Sequence, residues 1–164
     1  MNITVKHPAD CLYCELDKLA TFAAYSGEVE LDDIKRGVRN AKAILWVAHQ
    51  GAICAVAVLK RPNVNYRKKI FQKANFSACP ETYTYELGYI FVDSANRKRG
   101  LAKSLVTKAI EVSGEHAVYA TTRSDNSAMQ NILTSFKFVK VGDDYKSKRT
   151  KSLLSLLTYK PTQV

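Results

Sequence analysis

The sequence predicts a mixed α/β fold, a mostly antiparallel central sheet with helices on both faces. Three observations carry this. Ile44–His49 and Ala52–Leu59 are strand patterns joined by Gln50-Gly51, a tight-hairpin signal. Tyr83–Val92 is rich in aromatic and β-branched residues, and Leu101–Ile110 soon after it has apolar residues at helical spacing. The elements come in the order two helices, a β-meander, then β-α-β-α-β-β. No repeat, low-complexity tract or interdomain linker interrupts them, so residues 1–164 read as one domain.

A short strand opens the chain at Asn2–Val5. Asp10 is placed to cap a helix running to about Tyr25, where Ser26-Gly27 stops it. Asp32 or Asp33 starts a second, shorter helix reaching Asn40. After the hairpin, Arg61-Pro62-Asn63 breaks the strand, and Val64–Asn75 is a long, partly helical connection of the kind that often carries function. The Tyr83–Val92 strand leads into a helix over Arg97–Val112, which Gly114 ends. Ala117–Thr122 is the next strand, and Ser124-Asp125-Asn126 supplies caps for a helix over Ser127–Ser135. Phe136–Val141 and Lys151–Tyr159 close as two strands around a polar Gly142–Thr150 hairpin.

Composition excludes several classes. At 164 residues, 46% hydrophobic and 24% charged, the chain reads as globular and large enough to build a core without staples. Its longest apolar runs, around Ala43–Ala48 and Gly51–Leu59, fall far short of the roughly 18 residues of a membrane helix. Met1–Lys6 lacks a signal-peptide pattern, so a cytoplasmic location and no membrane partner are expected. Cys11 and Cys14 are spaced Cys-x-x-Cys inside a helix-like run with no second pair, so free, mostly buried thiols are expected for the four cysteines. His7, His49 and His116 have no metal-ligand spacing, and no metal is predicted.

The net charge of +10 is unevenly placed: residues 1–33 hold two basic and seven acidic side chains, the remainder 23 and eight. Lys60–Lys73 carries six basic residues and no acid, Arg97–Lys108 five and none. The first cluster has two readings, an attraction for an anionic partner or a solvated face.

The second cluster contains the strongest functional signal, Arg97-Lys98-Arg99-Gly100-Leu101-Ala102. It joins a strand to a helix N-terminus, where backbone N–H groups converge. Gly100 lets the backbone approach a ligand without a Cβ in the way. Such a loop suits a pyrophosphate; the other reading is an ordinary basic βα turn. The pattern resembles the coenzyme A loop of the GNAT acetyltransferase superfamily. Val92 to Ala102 aligns without a gap to the family's Val-x-Pro-x-x-Arg-x-x-Gly-x-Gly/Ala, with Ser94 at the proline position. Asn126 is similar to the asparagine that opens the next helix in many members. Phe138–Gly142 resembles the family's Gly-Phe and following strand, with Lys137 in place of the glycine. The order of elements is similar to the GNAT order over essentially the whole chain.

The resemblance implies the GNAT acyl-CoA N-acyltransferase fold, acetyl-CoA (coenzyme A) as cofactor, and direct N-acetyl transfer to an amine. Ile90, Phe91 and Val92 would pair through their backbone with the pantetheine arm, and an N–H there would stabilise the oxyanion. Arg97, Lys98, Arg99, Gly100, Leu101, Ala102 and Lys103 would cradle the pyrophosphate, and Asn126 would contact the cofactor arm. Glu86 stands eleven positions before Arg97, where several amine-acetylating members carry a general base. Apolar neighbours would partly desolvate it and raise its pKa toward a useful range. Strand alternation puts Glu86, Gly88, Ile90 and Val92 on one face. The competing reading of Glu86 is a strand-end charge paired with a nearby Lys or Arg.

One family element is missing. Leu133 occupies the position of the tyrosine that protonates the leaving thiolate, which leaves Tyr145, Ser135 or unassisted departure. The absence of Gly-x-Ser-x-Gly and of a Cys/His signature disfavours a covalent intermediate. The expected acceptor is a small amine, amino acid or protein amine, whose identity the sequence does not specify; Arg61 and Arg123 are candidate substrate-binding residues for an anionic one. Two other functions stay open. One is a nucleic-acid-associated protein, modifying aminoacyl-tRNA or a base or binding without catalysis, although no RNP aromatic motif is present. The other is a catalytically degenerate fold that senses coenzyme A. A monomer or homodimer is expected.

Overall fold

The computed structural model describes residues 2–162, among which lie seven strands and five α-helices. The elements are β1 (Ile3–Lys6), α1 (Tyr13–Ala24), α2 (Leu31–Arg39), β2 (Ala43–His49), β3 (Ala52–Lys60), α3 (Val64–Lys73), β4 (Tyr83–Val92), α4 (Leu101–Ser113), β5 (Ala117–Arg123), α5 (Ser127–Ser135), β6 (Val139–Lys146) and β7 (Leu153–Tyr159). This is the expected mixed α/β class. β1–β2, β2–β3, β5–β7 and β6–β7 pair antiparallel, and β4–β5 pairs parallel. The chain divides into two compact units, each assembled from separate stretches: Met1–Arg61 with Leu87–Val112, and Pro62–Glu86 with Ser113–Val164.

In the first unit the β2–β3 hairpin turns at Gln50 and Gly51, both at positive φ (50° and 80°), as the twist of a two-residue hairpin requires. Cys54 through Leu59 are buried without a break, so both faces of β3 are covered. One cover comes from the apolar stripes of α1 and α2, where Leu16, Leu19, Ala20, Ile34 and Val38 cluster with Ile44, Val56 and Val58. The start of α1 corrects the expected Asp10 cap. Pro8–Asp10 forms a separate 3₁₀ turn, and α1 begins at Tyr13. Leu12 has no side-chain acceptor, so Glu15 reaches back instead and accepts from the Leu12 N–H at 2.9 Å. That bond, with Lys6 beside it, holds the Glu15 carboxyl below its ordinary range.

In the second unit the strands run in the order β4-β5-β7-β6, with Glu86 opposite Tyr119 and Tyr119 opposite Thr158. Asn63 caps α3 by accepting from Asn65 N–H, and the helix buries Ile70 and Phe71. The Phe71 ring lies 5.4 Å from that of Tyr83 and 5.6 Å, edge-on, from that of Tyr119. Tyr145, Ala74 and Leu156 complete this cluster.

Here β6 corrects the expected hairpin. It continues through Gly142-Asp143-Asp144, with a register shift between Val141 and Tyr145, and the connection shortens to Ser147–Ser152. A bulge accommodates the polar residues. Gly142 takes φ 62°, Asp143 N–H donates to Ala74 O at 2.7 Å, and the Asn75 amide donates to Asp143 at 2.9 Å. Polar residues that read as a turn are thereby held against the end of α3.

Candidate active site

The first unit carries the basic loop. β4 enters it through Ile90, Phe91 and Val92, all half-buried, with the Phe91 ring edge-on to Phe22 at 5.1 Å. Just before them Tyr89 has φ 52°, which interrupts the alternation expected to carry Glu86, Gly88, Ile90 and Val92 on one face. The Tyr89 hydroxyl donates to Asp33 O at 3.4 Å, and Lys60 Nζ lies 4.4 Å from its ring centroid.

Asp93 then organises the turn. Its N–H donates to Cys54 O at 3.0 Å, and its carboxylate accepts from the Asn96 N–H at 2.8 Å and the Asn96 side-chain amide at 2.9 Å. Arg97 Nε donates to Val92 O at 3.2 Å, and Arg99 Nη1 donates to Asn96 Oδ1 at 2.7 Å. These two arginines therefore brace the loop as well as charging it. The helix starts at Leu101, not at the expected Arg97, leaving the exposed residues Arg97–Gly100 ahead of it. Lys98 and Gly100 both sit at positive φ, 61° and 78°, and a Cβ on Gly100 would meet nothing within 4 Å. First-turn N–H groups of α4 have no intrahelical acceptor. Arg97, Lys98, Arg99 and Lys103, with that backbone, fit the pyrophosphate of coenzyme A in charge and in steric access. Arg61, at the end of β3, is exposed.

The second unit carries Glu86, the fourth residue of β4. It is 3% exposed, so it is no strand-end surface charge. The Tyr119 hydroxyl donates to Glu86 Oε2 at 3.2 Å. Burial, and after it the Glu86 carboxylate, push the Tyr119 phenol far above its ordinary range. Burial and the same carboxylate also push the Tyr145 phenol up. The Tyr145 hydroxyl is buried with no hydrogen-bond partner among the described residues.

Arg67 departs from the expected surface cluster. It is buried, and Nη1 donates to Tyr83 O at 2.6 Å. Lys68 pairs with Glu81 at 3.2 Å; the Cys79 thiol and Lys68 beside that carboxyl hold it at about 2. The Lys60–Lys73 run is thus no uniform charged face.

Asn126 caps α5 as expected, its Oδ1 accepting from Met129 N–H at 3.1 Å. Arg123 Nε lies 3.3 Å from Asp125 Oδ1. Leu133 is buried in the core, and Ser135 donates to Ile132 O within its own helix. Lys137 stands at φ 65°, which gives a physical reason for the glycine that the family pattern has there. Of the four free cysteines only Cys54 is buried, against the expectation of mostly buried thiols; Cys14 and Cys79 are exposed and Cys11 is intermediate. Among the described residues no helix is long and apolar enough to cross a membrane.

Sequence reasoning missed Tyr119. The available signal was a tyrosine, rather than phenylalanine, in a strand that otherwise reads as core: a buried hydroxyl needs a partner.

The geometry and strand pairing define an acyl-CoA N-acyltransferase type of fold, and solved structures agree. An acyl-CoA N-acyltransferase from Pseudomonas aeruginosa is similar over 96% of this chain and 97% of its own, with a TM-score of 0.68 and 19% identity. A ribosomal-protein-alanine N-acetyltransferase from Brucella melitensis matches over 96% and 99%, with a TM-score of 0.67 and 17% identity. The protein yncA from Salmonella typhimurium, solved with its cofactor acetyl-CoA, matches over 100% and 96%, with a TM-score of 0.66 and 16% identity. No curated protein matches. The family model described as the acetyltransferase (GNAT) family matches residues 12–138, and the chain belongs to that family, which uses acetyl-CoA as acyl donor.

Proposed function

We propose that this protein transfers the acetyl group of acetyl-CoA directly to an amine nitrogen, with Glu86 as general base. The observation that carries the reading is the exposed loop Arg97–Gly100, turned at Lys98 and Gly100 and running into α4. Bound acetyl-CoA would supply the activated acetyl thioester. Ile90, Phe91 and Val92 would bind its arm through their backbone, Asn126 would contact that arm, and Arg97–Lys103 would bind the pyrophosphate. Glu86 would take the proton that the acceptor nitrogen loses as it forms its bond to the acetyl carbon.

The departing sulfur is assigned no side-chain acid. Leu133 is apolar, and Tyr145 holds its proton above the ordinary tyrosine range. The acceptor we favour is a small anionic amine met by Arg61 and Arg123, in the cytoplasm. A polyanionic acceptor finds less support, because Arg67 is internal and Lys68 is paired.

Acetyl-CoA should raise the thermal midpoint by binding the native state, and Gly100→Glu should abolish that rise by placing a side chain and a negative charge at the loop. Equal rises in both proteins overturn the loop assignment. Thiol release measured against a panel of amines and bulk tRNA then identifies the acceptor class. Turnover with tRNA alone would reverse the preference for a small amine.

A further inference from the structure

Around Glu86 the second unit gathers a set of polar groups, of which Glu86, Tyr119, Tyr145 and Arg67 are buried and Tyr66 is exposed. The carboxylate on β4 faces Tyr119 on β5, Tyr145 on β6 feels its charge, and Tyr66 and Arg67 on α3 act on the Tyr119 phenol. Tyr119 is 0% exposed, and its ring already packs edge-on against Phe71. Phenylalanine would fill that space equally well. The hydroxyl is therefore explained by what it bonds, not by what it fills.

We infer that Tyr119 is a positioning residue for Glu86, its hydroxyl holding Oε2 at 3.2 Å so that the carboxylate keeps one orientation. The inference rests on the reading of Glu86 as general base. The parallel ladder sets Glu86 and Tyr119 directly opposite one another, which fixes both ends of the contact. A hydrogen bond donated to the charged form of a carboxyl favours that form, and it also removes rotational freedom about the terminal torsion. Burial and the adjacent negative charge keep Tyr119 protonated throughout the range in which a base must act, so it is a constant donor and not a proton carrier. Arg67, whose guanidinium is anchored on Tyr83 O, acts on the Tyr119 phenol in the opposite sense to Glu86 and keeps positive potential within the cluster.

Losing a hydrogen bond donated to the charged form of a carboxyl disfavours that form. Tyr119→Phe should therefore move the acid limb of the pH–turnover profile upward by about one pH unit and lower kcat at neutral pH, with KM for acetyl-CoA unchanged. Combined with Glu86→Gln, Tyr119→Phe should produce no additional loss of turnover, because the group it positions is gone.

A limb that stays in place in Tyr119→Phe, while Glu86→Gln is impaired, overturns the positioning role and leaves the base assignment intact. Full turnover in Glu86→Gln overturns both. Should Tyr119→Phe not fold, the wild type answers by proton NMR. The Tyr119 hydroxyl proton should shift with the same pH midpoint as the acid limb of turnover, and a resonance indifferent to that midpoint overturns the inference.

Discussion

Two glycines, one in each unit, share a left-handed backbone and nothing else. Gly100 has φ 78° and Gly142 has φ 62°. A methyl group added to Gly100 would stand in open space, whereas one added to Gly142 would lie 2.0 Å from Ala74 O. The first glycine keeps backbone accessible to something outside the chain; the second lets one part of the chain close upon another. The contrast extends to the polar groups around them. In the basic loop the chemistry is offered by exposed backbone and cations, while around Glu86 it is offered by buried side chains that touch one another.

The largest expected effect strikes the buried side. Glu86→Gln preserves shape and removes the proposed base, so turnover should fall by roughly 10²–10⁴-fold with little change in acetyl-CoA affinity. Steady-state kinetics beside a cofactor titration would reveal it; a loss of affinity matching the loss of turnover would break the separation between binding loop and buried carboxylate. Next comes the pair of glycines. Gly142→Ala incurs both left-handed strain and displacement of a backbone carbonyl, costing roughly 2–4 kcal/mol, against about 1 kcal/mol for Gly100→Ala, which incurs the strain alone. Urea unfolding of the two variants tests this directly, and equal losses would erase the distinction. The smallest effect is a gain. Lys137 holds a left-handed conformation with a full side chain, so Lys137→Gly should stabilise the protein by about 0.5–1 kcal/mol in the same assay. No gain there would mean that the Lys137 side chain contributes more than its backbone costs.

Much of this was legible in the chain, for reasons that differ from place to place. The bounds of β4 and α5 follow from local patterns, as does the Asn126 cap, because alternation, helical spacing and capping act over a few residues. The basic loop could be read for the same reason: strand, glycine, cations and helix start are consecutive. The bulge in β6 could not, since Gly142-Asp143-Asp144 has the composition of a turn and is held in strand by Ala74, far back in the sequence. Nor could the surroundings of Glu86. Its bond to Tyr119 spans 33 residues and that of Arg67 to Tyr83 spans 16, and neither leaves a periodic trace. Arg67 lies in a basic run whose natural reading is a solvated surface, and only the fold turns it inward.

The way the two units are threaded has a consequence for synthesis. All of unit one has been synthesised once Val112 has emerged, but Ile70, Phe71 and Tyr83 then still await Tyr119, Tyr145 and Leu156, which follow much later. At ribosomal rates the wait lasts on the order of several seconds, with an aromatic surface uncovered. The interval between translating α3 and translating β7 is therefore when the nascent chain is most exposed to aggregation and most in need of a chaperone.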